Sequence, residues 1–166
     1  MDFTLEALQA VHWPQVAAIY QDGIATKIAT FQDEVPTWEQ WDKGHSKACR
    51  IIAKRGNEVL GWAALTPVSD RCVYAGVANV SIYIGQPYKQ QGVGKALMRE
   101  LIRQSEEAGF WTLESKIIAE NTASLALHAA CGFRLVGTRE KLGKMDTGIW
   151  HDVVLVERRS QIVGLD

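Results

Sequence analysis

Only three of the 166 residues are cysteine, Cys49, Cys72 and Cys131. They form no C-x-x-C pair and no Cys/His spacing of a zinc site, so neither a disulfide framework nor a metal centre is expected. Long apolar runs are also missing. The stretch Ala75-Gly76-Val77-Ala78 and the alternating segment that follows it to Ile84 fall far short of the roughly 18–20 residues that cross a bilayer, which predicts no membrane span. Met1-Asp2-Phe3-Thr4-Leu5-Glu6 carries acid where a signal peptide carries base, and no apolar core follows it, so a cytoplasmic protein is expected. Charge of one sign is absent as well: 18 Lys and Arg stand against 19 Asp and Glu. That balance argues against nucleic acid or an anionic membrane as partner and favours a small polar metabolite. Proline is scarce, at four residues, and no segment is of low complexity. With 47% apolar residues the chain can bury a core, and residues 1–166 are expected to form one domain.

Periodicity predicts a mixed α/β chain. Phe3–Leu8 alternates as a strand, and Val16, Ile19, Tyr20 and Ile24 then recur at helical spacing behind Pro14. A short helix opens at Pro36 or Thr37. Cys49–Lys54 and Val59–Leu65 read as a hairpin around Gly56-Asn57, where both residues tolerate positive φ. From Asn79 to Ile84 the alternation is complete, with Val80, Ile82 and Ile84 on one face and Asn79, Ser81 and Tyr83 on the other. A helical stripe of Val93, Leu97 and Leu101 runs to about Ala108, with Gly109 as its stop. A strand at Thr112–Ile118, a helix at Asn121–Cys131 and strands near Phe133–Thr138 and Trp150–Glu157 complete the chain.

Between the clearest strand and the clearest helix lies Lys89-Gln90-Gln91-Gly92-Val93-Gly94-Lys95. Glycine N–H groups at a helix start can turn toward an anion and meet the positive end of the helix dipole. A Walker A loop is excluded by Lys89 and Ala96, and a dinucleotide fingerprint by Leu97 at its third glycine position. Lys89, Lys95 and Arg99 add positive charge suited to a ligand with several phosphates. This segment resembles the acetyl-CoA signature of the GNAT superfamily of N-acetyltransferases: Arg or Gln, two residues, Gly, one residue, then Gly or Ala. Lys89 stands at the first position, which keeps the charge and loses the planar donor.

A second stretch, Asn121-Thr122-Ala123-Ser124-Leu125-Ala126-Leu127-His128 through Gly132-Phe133, resembles the Asn-to-Gly-Phe segment of the same superfamily. Ile24-Ala25-Thr26, Glu34-Val35-Pro36, Val80-Ser81-Ile82-Tyr83-Ile84 and Trp150-His151-Asp152-Val153 narrow the resemblance to the phosphinothricin acetyltransferase-like branch. The resemblance implies a GNAT fold, a central mixed, mostly antiparallel sheet flanked by helices and splayed at the strand that binds acetyl-CoA. It implies acetyl transfer from acetyl-CoA directly to the amino group of a small amino-acid-like acceptor, with no metal, in a homodimer. Two other readings stand beside it, an acetyl-CoA-binding module with little catalysis and an acetyltransferase acting on a protein terminus.

On that resemblance Ile82, Tyr83 and Ile84 supply the strand edge and the N–H that polarises the thioester carbonyl, a fixed dipole needing no reorganisation. The turn Lys89, Gln90, Gln91, Gly92, Val93, Gly94 and Lys95 holds the pyrophosphate. Asn121 and Ser124 reach the pantetheine or a phosphate, although Asn121 is also a good helix N-cap. His128 takes the place of a tyrosine that protonates the departing thiolate. The branch carries Glu, the general base, where this chain has Asn79, and an amide accepts no proton at neutral pH. Either Asn79 only orients a water or the acceptor, or His151 or Asp152 is the base, or turnover is lost. Cys131, three residues from His128, raises a covalent route that a buried structural thiol explains more simply. For the acceptor, Arg71 suits a carboxylate and Tyr74 lies beside it in the same loop, while Phe31, Trp38 and Trp150 are candidate apolar walls.

Overall fold

The computed structural model describes residues 2–166. Seven strands form one sheet in the order β1-β2-β3-β4-β5-β7-β6, where β1 is Thr4–Ala7, β2 Ile51–Arg55, β3 Glu58–Pro67, β4 Val77–Ile84, β5 Thr112–Ile118, β6 Arg134–Lys144 and β7 Trp150–Arg159. Every ladder is antiparallel except β4 with β5. The helices are α1 Trp13–Ala25, α2 Trp38–Gly44, α3 Val93–Glu107 and α4 Thr122–Ala130. No helix among the described residues is long and apolar enough to cross a membrane.

The alternation of β4 sorts its side chains as the sequence predicts. Val80, with Ile82 and Ile84 against it, belongs to the core under α3, where Val93, Leu97, Met98 and Leu101 are fully buried. Each such side chain contributes about 1.5–3 kcal/mol on leaving water. Tyr83 points to the opposite core, under α1 and α2, which is built on Val16, Tyr20, Trp41 and Trp62. Thr37 starts α2 with a reciprocal capping box, its hydroxyl accepting from the Gln40 N–H while the Gln40 side chain accepts from the Thr37 N–H.

The β2–β3 hairpin forms around Gly56-Asn57, with Gly56 at φ 57°. Two local expectations are corrected. The strand expected from Cys49 begins at Ile51, because Cys49 itself is left-handed with φ 62°. Strand β6 continues past Thr138 to Lys144, through polar residues without apolar alternation. Partners outside the segment hold it there: Gly143 and Lys144 pair with His151 and Trp150, and the Lys141 N–H donates to Asp152 Oδ1.

The feature that positions the site is the short parallel ladder. Strands β4 and β5 pair only at Val77 with Thr112, Ala78 with Leu113 and Asn79 with Glu114. Beyond Asn79, β4 stays paired to β3 and β5 to β7, so the two strands part. Alternate backbone groups of β4 from Val80 to Ile84 thus face an opening rather than a neighbouring strand, an edge ready to take a further extended segment.

Candidate functional site

Two cavities meet at this parting of the sheet. The first, about 380 Å³, is lined by Ile82, Tyr83 and Ile84, by Lys89, Gln90, Gly92, Gly94 and Lys95, and by Asn121 and Ser124 of the α4 start. A 3-10 turn over Gln86–Tyr88 leads from β4 to the glycines, and Gly92 then takes φ 82° as the N-cap of α3. No side chain caps this helix, so its first N–H groups are left for a ligand, whereas α2 and α4 are both closed by their own side chains. At Gly94 a Cβ would lie 3.2 Å from Leu127 Cδ2 and 3.6 Å from Ile84 Cγ1. A methyl there would narrow the cradle between α3, α4 and β4. An uncapped N-terminus, a bare backbone and two lysines fit the pyrophosphate of a coenzyme A type ligand.

Two residues of the expected turn contribute otherwise. Val93 is buried in the core under α3, so its side chain is packing and only its backbone can serve a ligand. The Gln91 amide donates to the Pro87 carbonyl at 2.8 Å and lies outside the cavity. Asn121 caps α4, its side-chain oxygen accepting from the Ser124 N–H at 3.2 Å, and it also lines both cavities.

The second cavity, about 340 Å³, passes between the parted strands. Asn79, Ser81, Ser115, Lys116, His128 and Phe31 are among its lining. His128 is 1% exposed. Its Nδ1 lies 2.7 Å from the Ser124 carbonyl oxygen, which only accepts, so Nδ1 carries the proton and Nε2 of the neutral ring is a lone pair. Nε2 is buried without a partner, and so is Oδ1 of Asn79. Two buried acceptors thus line one cavity, and a ligand with N–H groups would satisfy both. In this neutral form the ring can accept a proton at Nε2 and has none to give there. Burial pushes the ring below the usual histidine range, only partly opposed by the Ser124 hydrogen bond.

His151 lies outside both cavities. Its Nδ1 is 2.9 Å from Glu120 Oε2, and its ring sits edge-on behind Phe31. Asp152 accepts from the Lys141 N–H. Neither reaches the opening. Arg71 and Tyr74 are exposed near the 3-10 turn Cys72–Tyr74, with the guanidinium over the Tyr74 ring, and line neither cavity of the single chain. Trp38 packs on Trp13 and Trp41, and Trp150 lies exposed beside Lys144, so of the expected aromatic walls only Phe31 reaches the site. Cys131 is outside both cavities too, its thiol pushed up by burial. What the sequence reading missed is Lys116; once β4 and β5 are paired at Asn79 and Glu114, alternation puts Lys116 on the Asn79 face.

Two histidines, buried His128 and half-buried His45, make stability depend on pH. Burial lowers His45, with the Arg50 charge adding to it, as it lowers His128. Both folded-state values lie below the unfolded value of about 6.5, so between them the unfolded chain binds more protons. Stability is therefore intact above about pH 6.5 and is lost as pH falls toward the folded values. Thermal unfolding between pH 8 and 5 should show the melting temperature falling on acidification, with a shallower slope in His45→Phe. An unchanged slope would mean that His45 is not held neutral.

Comparison with known proteins gives consistent findings. A model of the acetyltransferase (GNAT) family matches residues 13–133. The chain is 32% identical over 151 residues to a phosphinothricin N-acetyltransferase of Alcaligenes faecalis, covering 87% of this chain and 76% of that protein. It is 23% identical over 150 residues to an L-methionine sulfoximine/L-methionine sulfone acetyltransferase of Pseudomonas aeruginosa, covering 87% of each. In fold it matches the crystal structure of a phosphinothricin acetyltransferase from Sinorhizobium meliloti in complex with AcCoA, with TM-score 0.88 and 24% identity, covering 100% of this chain and 92% of that one.

Proposed function

The chain belongs to the acetyltransferase (GNAT) family, and from that membership we propose that it moves an acetyl group from acetyl-CoA to the amino group of a small amino-acid-like acceptor of the phosphinothricin or methionine sulfoximine type. The observation that carries the reading is the continuity of the two cavities through the parted strands, both lined by Ile82, Tyr83, Asn121 and Ser124. One side suits a phosphate-bearing thioester and the other a polar amine. Acetyl-CoA supplies the activated acetyl group. All other chemistry belongs to the chain.

The Gly92–Gly94 turn, with Lys89 and Lys95, holds the pyrophosphate, and the free edge of β4 pairs the pantetheine as a further strand. An N–H of Ile82, Tyr83 or Ile84 polarises the carbonyl. Asn79 holds the acceptor nitrogen by a hydrogen bond to Oδ1 and takes no proton. His128 Nε2 takes the proton that the attacking nitrogen sheds. The resulting imidazolium, more acidic than usual because it is buried, returns it to the leaving thiolate, whose thiol has a pKa of about 8.5. Phe31 walls the acceptor side. The whole chain acts as one domain, in the cytoplasm, where three unpaired cysteines are at home. A homodimer is part of the proposal, supported by exposed Leu135, Val136, Leu142 and Trp150 on β6 and β7.

Thiol release from acetyl-CoA with phosphinothricin, methionine sulfoximine, methionine sulfone and common amino acids tests the reading. Acceptor-dependent release is expected, strongest toward alkaline pH where more of the amine is neutral. Acetyl-CoA binding with no release across the panel would turn the reading toward a binding module, and no binding would overturn it.

A further inference from the structure

The acceptor-side cavity has one full charge on its walls. Among the described residues that line it, Lys116 is the only Lys or Arg, and none is Asp or Glu. The Lys116 side chain is exposed to the opening and has no salt bridge among the described residues. It stands two residues beyond Glu114, the last position where β5 pairs with β4, so its backbone lies about 6–7 Å up the opening from the Asn79 level. An extended lysine side chain spans a similar distance, which lets the ammonium sit over a molecule whose amine rests at Asn79 and His128. The polarity of the walls is thus divided. Two neutral acceptors, Asn79 Oδ1 and His128 Nε2, are buried and without a partner among the described residues, and one cationic side chain lines the same cavity. A wholly uncharged amine would leave that cation unmatched.

We propose that Lys116 is the residue that selects the acceptor, pairing its ammonium with an anionic group, either an α-carboxylate or a side-chain phosphinate. The inference rests on the acetyl-transfer reading and deepens it, since it requires an anion on the acceptor rather than any primary amine. It also moves anion recognition from Arg71, which lines neither cavity of the single chain, to the sheet itself. Lysine acts here as a compact point charge on a flexible stem, so it can follow acceptors of different length.

The test compares wild type with Lys116→Gln and Lys116→Arg, using thiol release with L-methionine sulfone, its carboxamide and phosphinothricin. Wild type should favour methionine sulfone over the carboxamide tenfold or more in kcat/KM. In Lys116→Gln the KM for the acid whose anion the lysine holds should rise about tenfold or more, equivalent to about 1.4 kcal/mol, with the acetyl-CoA KM unmoved; where that anion is the carboxylate, the preference for methionine sulfone over its carboxamide collapses with it. Lys116→Arg should recover most of the preference. A loss confined to phosphinothricin would assign the lysine to the phosphinate, and a loss shared with methionine sulfone would assign it to the carboxylate; both support the proposal. Equal loss with acid and carboxamide, or no loss with either acid, overturns it while leaving acetyl transfer in place. Acetyl-CoA binding by titration without thiol release from any of the three acceptors would instead overturn the acetyl-transfer reading, and this inference with it.

Discussion

Replacing His128 by glutamine is expected to lower kcat by about two to four orders of magnitude, the usual contribution of a positioned proton carrier, with acetyl-CoA affinity little changed. The reason lies in the tautomer. The Ser124 carbonyl takes the Nδ1 proton, which leaves Nε2 as the free lone pair on the cavity wall. Glutamine keeps some polarity at that depth and cannot cycle a proton. Because His128 is wholly buried beside Phe133, circular dichroism and melting must accompany the kinetics to separate lost chemistry from lost packing. A second readout is pH. Burial keeps the ring neutral to lower pH than an ordinary histidine, so wild-type kcat should hold through pH 6.5 on the acid side. The residual activity of the variant should lack that acid limb. A folded His128→Gln protein with near wild-type kcat would show that the proton leaves by water alone.

The largest effect on stability is expected at Trp62. Its side chain is fully buried at the centre of an aromatic cluster, stacked on Tyr83 at 5.0 Å, tilted against Tyr20 at 5.5 Å and edge-on to Trp41 at 5.6 Å. Trp62→Ala should cost about 3–5 kcal/mol, the range for emptying such a site, and lower the melting temperature by roughly 6–20 °C in a chain of this size. Trp62→Phe should cost much less, because it keeps most of the apolar volume and removes an indole N–H that is buried without a partner. Tyr83 connects this core to the site, since the residue whose ring rests on Trp62 also lines both cavities. Trp62→Ala should therefore also weaken acetyl-CoA binding at temperatures where it is still folded, measurable by titration. Intact affinity would mean that β4 holds its place without the aromatic stack.

Much of this could be read from the chain because the relevant physics is local. The complete alternation of Val80, Ile82 and Ile84 against Asn79, Ser81 and Tyr83 reports two buried faces, and both cores are there. Gly92 and Gly94 announce their turn because few other residues adopt the backbone it needs, and Asn121 announces its helix as an N-cap. What stayed hidden depends on which strands are neighbours. Lys116 reads as an ordinary solvent-facing strand residue until β5 is placed beside β4 and the two diverge. His151 and Asp152 looked like bases by residue type, yet Glu120 and the Lys141 N–H engage them away from the opening. The proton on Nδ1 of His128 is settled by a carbonyl four residues back in the same helix, a matter of side-chain rotamer that no spacing rule encodes. The polar extension of β6 is held by its partner strand and has no signature of its own.

The three residue pairs that join β4 to β5 make the ligand part of the architecture. A pantetheine lying along the open edge of β4 would complete hydrogen bonds that the chain alone cannot make, so the loaded protein has a more continuous sheet than the empty one. By mass action, any molecule that binds only the folded form raises its stability, by about 2.7 kcal/mol at a hundredfold excess over Kd. Amide hydrogens along Val80–Ile84 should then exchange more slowly as acetyl-CoA rises, and the chain should survive longer against proteases. The open seam makes the lifetime of the protein a gauge of its acetyl donor, quite apart from how fast it turns over.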